Sequence, residues 1–210
     1  EDGAPSGAQC MINDGLFDKY PCDAIFSMHN MPGWPQGHLI FREGPMMASS
    51  DKVYITLVGH GGHGAVPHKT ADPVVAAASL VMALQTVVSR NVDPLQTAVV
   101  TVGVLQSGRA NNVIPDSAYL ELSVRALDSE VRSLLQQRIT EITHAQAQSF
   151  GVKAEIDYRR GYAALVNSKD ETDFARQIGT ELVGAERVVP QAPPLTGSED
   201  FAFMLEKCPG

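Results

Sequence analysis

Val53-Tyr54-Ile55-Thr56-Leu57-Val58-Gly59-His60-Gly61-Gly62-His63-Gly64-Ala65-Val66-Pro67-His68 runs from an alternating apolar pattern into a turn that sets three imidazoles among glycines. Alternation over 53–58 predicts a half-buried strand. Glycine permits positive φ and close backbone approach, and imidazole is the side chain whose charge moves most easily near neutral pH. The turn therefore reads as a device for presenting a donor; the plain alternative is a solvent-exposed turn rich in polar residues. Asp72-Pro73 follows with an N-cap and a proline at the first helical position, opening an apolar helix to about Arg90.

Thr97 to Leu105 is β-branched and apolar, and Tyr119 to Arg125 alternates Leu120, Leu122 and Val124 with polar positions, so both predict strands. Asp128-Ser129 caps a second helix, with Val131, Leu134, Leu135, Ile139 and Ile142 at helical spacing as far as Phe150. Val152, Ala154, Ile156 and Tyr158 alternate as a last strand. The order β-α-β-β-α-β is that of a ferredoxin-like sandwich, whose open edge suits pairing with a second copy. The flanks predict pieces of one α/β domain with this unit inserted. They comprise a helix over Gly3 to Asp14, a short buried strand over Asp23 to Met28 delivering His29, a helix over Glu171 to Val183 with Phe174, Ile178 and Leu182 on one face, a strand at Val188-Val189, and a loop at 195–201 entering a helix. The expected boundaries are 1–50, 51–163 and 164–210.

A net charge of −8 without a basic block argues against nucleic acid and acidic membrane surfaces, and favours small molecules or protein surfaces as partners. Cys10, Cys22 and Cys208 are too widely spaced to indicate a disulfide framework or a structural zinc site, which fits the cytoplasm. The apolar run from Val74 to Val88 is shorter than the roughly twenty residues of a membrane span. No H-E-x-x-H, G-x-S-x-G, P-loop or dinucleotide fingerprint occurs. A catalytic site would have to be assembled from distant residues.

Several motifs follow one another in series: Glu1-Asp2 ahead of Gly7-Ala8, Asp14-Gly15-Leu16-Phe17, Met28-His29-Asn30-Met31-Pro32-Gly33, Gly61-Gly62-His63-Gly64-Ala65, Asn112-Val113-Ile114-Pro115-Asp116, Val124-Arg125 and Gly197-Ser198-Glu199-Asp200-Phe201. In order and spacing the chain resembles the aminoacylase and hippurate hydrolase group of two-metal amidohydrolases, metallopeptidase family twenty, over essentially its whole length. The resemblance implies part of a two-metal aminopeptidase-like catalytic α/β domain carrying the ferredoxin-like unit as a lid and dimerisation domain. It also implies hydrolysis of the amide bond of N-acyl amino acids, hippurate-like compounds or short peptides by water activated between two divalent metals such as zinc, manganese, cobalt or nickel. The family's remaining ligands would lie before Glu1 and after Gly210, so the chain reads as a fragment that binds metal weakly or not at all and is inactive alone.

By the same resemblance Glu1 and His29 are metal ligands; the alternative, Glu1 as general base with Asp2 as ligand, stays open, as does an ordinary acidic terminus. His63 resembles the lid histidine that reaches the other subunit's site and donates to the developing oxyanion. Asn112 and Arg125 resemble the pair that grips the substrate carboxylate, a task suited to an arginine fork. A turn role for Asn112 and a surface salt bridge for Arg125 are the competing readings. Glu199 resembles a positioning residue near the metals, although helix capping explains the Ser198-Glu199-Asp200 run equally well. The rival from another class is a non-catalytic dimerisation or binding module of the same fold; a transferase-like or carboxypeptidase relative with another substrate is a second.

Overall fold

The computed structural model describes residues 5–210. The first segment forms helices α1 (Gly7–Asn13) and α2 (Leu16–Lys19) and short strands β1 (Leu39–Ile40) and β2 (Gly44–Met47). Next come β3 (Asp51–Val58), β4 (Gly62–His63), α3 (Pro73–Asn91), β5 (Ala98–Ser107), β6 (Val113–Ile114), β7 (Ser117–Ala126), α4 (Ser129–Ser149) and β8 (Lys153–Arg160). The last segment holds β9 (Leu165–Asn167), α5 (Lys169–Val183), β10 (Val188–Val189) and α6 (Phe201–Leu205). The content is mixed α/β, and the chain divides into two compact units, Ser50–Gly161 and a second made of Glu1–Ser49 with Tyr162–Gly210.

In the Ser50–Gly161 unit β5, β7, β3 and β8 lie side by side in that order, every neighbour antiparallel. Alternation decides which face is buried: Val53, Ile55 and Leu57 of β3 and Leu120, Leu122 and Val124 of β7 are nearly or fully inaccessible. They pack with Leu80, Leu84 and Val87 of α3 and with Val131, Leu135 and Ile139 of α4. Each such side chain contributes about 1.5–3 kcal/mol on burial, which makes this layer the dominant stabilising term of the unit. By length and composition α3 passes for a membrane span, yet its Ala76, Ala77, Leu80, Leu84 and Val87 belong to this core. Both helices start as their sequences require: Asp72 accepts from the backbone N–H of Val74 at 2.8 Å, and Asp128 from those of Glu130 and Val131 at 2.8 and 2.9 Å.

A buried carboxylate ties the two ends of this unit together. Asp51, at the start of β3, accepts from Arg132 Nε of α4 at 3.1 Å, from the Tyr158 hydroxyl of β8 at 3.0 Å and from the Gly161 N–H at 3.1 Å. The Gly161 N–H also reaches Ser50 O at 3.0 Å, and Arg132 Nη2 donates to Gly161 O at 3.2 Å. A fully buried carboxylate is tolerable only with its lone pairs satisfied and a counter-charge in contact, and both conditions hold here. Burial, reinforced by the Asp51 charge, pushes the Tyr158 hydroxyl far above the usual tyrosine range.

In the other unit β2 pairs antiparallel with β9, and β1 pairs parallel with β10. The structure departs from the sequence pattern at two places in this unit. Residues 23–28 do not form a buried strand: Phe26 is 52% and Met28 83% exposed, and the described residues give Ile25 N–H a backbone partner at Pro209 O, 2.9 Å away. A strand needs a ladder of partners, and a single rung leaves the segment extended but outside a sheet. The front helix is also shorter than the pattern suggested, beginning at Gly7 with Ser6 as N-cap accepting from the Gln9 N–H. On α5 the apolar residues Phe174, Ile178 and Leu182 remain substantially exposed. The small Gly179 instead faces Leu39 and Phe41, where an added Cβ would come within 2.8 Å of the Phe41 ring.

Candidate active site

The histidine loop is not a free turn but a continuation of the β3–β7 ladder. The Gly59 N–H donates to Asp116 O at 2.8 Å and the Gly61 N–H to Asp116 Oδ1 at 2.9 Å. Gly62 pairs with Ile114 and His63 with Val113, and the Gly64 N–H reaches Asn112 O at 2.8 Å. On its other side His60 exchanges backbone hydrogen bonds with Ala71 at 3.0 and 2.9 Å. The glycines serve this zipper rather than positive φ, which none of Gly59, Gly61, Gly62 and Gly64 adopts. A Cβ on Gly59 would lie 2.2 Å from Ala71 O, and one on Gly61 2.3 Å from Ile114 O, so two backbones touch where a side chain would stand.

This packing decides what the exposed His63 ring offers. Its Nδ1 accepts from the Ala65 N–H at 3.1 Å. A nitrogen that accepts carries the lone pair, so in the neutral ring Nε2 is the nitrogen that carries the proton. His68 lies exposed on the single turn Pro67–Lys69. Asn112 is exposed beside His63, its carbonyl held by Gly64.

Arg125 is on β7 but at the opposite end from this loop. Val58, just before the loop, pairs with Ser117, whereas Asp51 pairs with Val124. At about 3.3 Å per residue, Ser117 and Arg125 are roughly 26 Å apart along the strand. Asn112 and Arg125 of one copy therefore do not form one clamp on a small carboxylate. Arg125 Nε donates to Ser123 Oγ at 3.4 Å, while Glu121 on the same strand face accepts from the Tyr119 hydroxyl at 2.9 Å.

In the other unit His29 and Glu199, which are 170 positions apart by number, come together: His29 Nδ1 lies 3.3 Å from Glu199 Oε2. A carboxylate beside Nδ1 is the kind of partner that orients a metal-ligating imidazole, with Nε2 as the coordinating atom. Glu199 also accepts from the Asp200 N–H at 3.0 Å, which keeps its side chain folded back over the loop. Asp200 precedes α6, but its carboxylate accepts from the Ala8 N–H at 2.8 Å, at the N-terminus of α1. That contact was not legible in the sequence, because the capped helix and the capping residue are far apart along the chain. Gly7, Ala8, Met11, Ile25, Phe26, Ser27, Glu199 and Asp200 border an open cleft of about 450 Å³. Glu1 lies outside the described residues. Among the described residues no three His, Cys, Asp or Glu side chains converge, so the His29–Glu199 pair fits one ligand and its orienting partner but not a complete metal site.

The model of peptidase family M20/M25/M40 matches residues 1–210. Among curated relatives, the hippurate hydrolase of Campylobacter jejuni is 43% identical over 204 residues, covering 96% of this chain and 53% of that protein. The N-acetyl-L-cysteine deacetylase of Bacillus subtilis is 39% identical over 207 residues, covering 99% of this chain and 49% of its own length. A solved structure from methicillin-resistant Staphylococcus aureus superposes with a TM-score of 0.88 at 31% identity, over 100% of this chain and 53% of that one. A dinuclear metal-binding peptidase of the M20 family from Bacillus subtilis superposes with a TM-score of 0.78 at 29% identity, over 98% and 50%. The chain spans about half the length of the curated relatives it matches. With the family model matched from end to end, the chain belongs to peptidase family M20/M25/M40.

Proposed function

We propose that the protein carrying this chain is a metal-dependent amidohydrolase that cleaves the amide bond of N-acyl amino acids or short peptides. In this reading Ser50–Gly161 is a ferredoxin-like lid and dimerisation domain, and the flanks belong to the catalytic domain. The observation that carries the reading is the exposed His63 ring, braced through Nδ1 by the Ala65 N–H, which leaves Nε2 as the nitrogen that would donate. A donor fixed where negative charge develops on a carbonyl oxygen lowers the barrier to tetrahedral addition, because its reorganisation is complete before the reaction begins. Relatives named as a hippurate hydrolase, an N-acetyl-L-cysteine deacetylase and N-acetyldiaminopimelate deacetylases support a substrate with an N-acyl group and a free carboxylate.

Because the His63–Asn112 end of the sheet and the Arg125 end are so far apart, one substrate can meet all three only if they come from two copies. We assign His63 and Asn112 to one copy and Arg125 to the other, related by a two-fold axis. Two divalent metals, zinc, manganese, cobalt or nickel, belong to the proposal for the whole enzyme and would supply the activated water. His29 would hold one through Nε2 with Glu199 orienting it, and Glu1 is assigned as a further ligand.

The test is hippurate and N-acetyl amino acid hydrolysis by a polypeptide spanning the full length of the relatives. His63→Ala is expected to lower kcat by about 10²- to 10³-fold with the fold intact; unchanged turnover would reject the role. Mixing His63→Ala with Arg125→Ala copies discriminates further. Two-copy sites restore about a quarter of parental activity through statistical heterodimers, and one-copy sites restore none.

A further inference from the structure

The three cysteines, spaced in the sequence like unrelated thiols, are not equivalent once folded. Cys22 and Cys208, 186 positions apart, face each other with their sulfurs 3.6 Å apart, and the Cys208 thiol also lies 3.5 Å from Cys22 O. The backbone holds them in that register: Ile25 N–H donates to Pro209 O at 2.9 Å, Cys208 N–H to Met204 O at 3.0 Å, and Ser168 N–H to Gly210 O at 2.8 Å. Cys22 is exposed and Cys208 is buried. Cys10, also exposed, has Pro5 O as a weak acceptor at 3.8 Å. None of this pairing belongs to the site described above, but the two segments it joins do. Residues 22–29 lead to His29, and 199–208 begin at Glu199.

We propose that Cys22 and Cys208 are a redox-active dithiol that closes to a disulfide under hydroperoxide, stapling the segment that carries His29 to the segment that carries Glu199. Disulfide bonding needs the sulfurs about 2.05 Å apart, a closure of about 1.5 Å from the present contact that side-chain rotation can supply. The two sulfurs divide the work by exposure. The Cys22 thiol gives up its proton, the thiolate attacks a peroxide oxygen, the O–O bond breaks to leave a sulfenic acid, and the departing hydroxide takes up that proton as one water. The Cys208 sulfur then attacks the Cys22 sulfur, the S–S bond forms, the S–O bond breaks, and the hydroxyl leaves with the Cys208 proton as a second water. Two thiols and one hydrogen peroxide become one disulfide and two waters, two electrons passing from sulfur to peroxide. Burial is the main cause that pushes the Cys208 thiol above its ordinary value, with the Cys22 sulfur and the carboxylates of Asp23 and Glu171 adding to it. That suits Cys208 to the resolving step rather than to first attack.

The experiment treats the 210-residue chain with hydrogen peroxide near neutral pH, then counts thiols with Ellman's reagent and maps non-reduced peptides by mass spectrometry. Expected are loss of two of the three thiols, a peptide pair linking Cys22 to Cys208 with a mass lower by about two hydrogens, and full reversal by dithiothreitol. Because the closed loop is long, the oxidised chain is expected to melt about 5 °C or more above the reduced one. Cys22→Ser and Cys208→Ser each abolish the link, and Cys10→Ser leaves it intact. Three surviving thiols, oxygen adducts on Cys22 without a link, a link through Cys10, or a link that leaves the melting temperature unmoved would overturn the proposal. Peptide mapping on the unsubstituted chain keeps the test decisive if Cys208→Ser fails to fold. Its failure leaves the hydrolase reading untouched, because the readout involves neither substrate nor metal.

Discussion

His63 and Gly61 show how a single position can be read correctly for its chemistry and wrongly for its reason. Glycines around an imidazole suggested an unobstructed loop, whereas the structure uses them to press two backbones together. Gly61→Ala is therefore expected to act on stability: its Cβ would meet Ile114 O at 2.3 Å, and the forced shift should cost about 1–3 kcal/mol. Urea denaturation of parent and variant checks this, and coincident midpoints would mean that the zipper yields without strain. At His29 the relevant feature is the partner. Glu199 stands at 3.3 Å from Nδ1, so, on the proposed reading, Glu199→Gln should weaken metal retention by about 10- to 100-fold in a polypeptide spanning the full length of the relatives. Equilibrium dialysis against zinc measures it; equal retention would show that Glu199 does not orient the ring.

At the scale of elements, the Asp51 cluster joins β3, α4 and β8 and closes the unit where the chain enters and leaves it. Removing the charge from Asp51 leaves Arg132, only 12% exposed, without its counter-ion. Asp51→Asn is thus expected to destabilise Ser50–Gly161 by about 3–5 kcal/mol, a loss readable in chemical denaturation. A loss below about 1 kcal/mol would place the cluster among the expendable ion pairs. The same cluster sets an alkaline limit. Folding raises the Tyr158 pKa, so its contribution is complete below the unfolded tyrosine value of about 10 and is lost as pH rises beyond it. Stability measured from pH 8 to 11 should fall more steeply in the parent than in Tyr158→Phe, and parallel curves would contradict this. On α5 the sign reverses: hydrogen bonding to Lys169 holds the Asp173 carboxyl below its usual range. That support persists above the ordinary carboxylate pKa and disappears as acid protonates the folded carboxyl.

For the whole molecule, the described residues bring together one imidazole and one carboxylate, His29 and Glu199, and no cluster of three metal-donor side chains. The chain by itself is accordingly expected to bind zinc or manganese only weakly in isothermal titration, and a tight site would contradict that. What local sequence determined was every element whose evidence is short-ranged. The alternation in β3 and β7 and the Asp72-Pro73 and Asp128 caps of α3 and α4 act within a few residues, so they were legible before folding. The motif series likewise pointed to the family that the match over residues 1–210 established. Tertiary structure alone decided what depends on residues distant in the chain. It left residues 23–28 without a ladder and faced Gly179 rather than Phe174 toward Leu39 and Phe41. It brought Asp51 to Arg132, Asp200 to Ala8 and Cys22 to Cys208, and it separated Asn112 from Arg125 by the length of a strand. The physical reason is that periodicity and capping report a residue's own neighbourhood, whereas a hydrogen-bond partner, a counter-charge or a facing thiol is chosen only when distant segments pack.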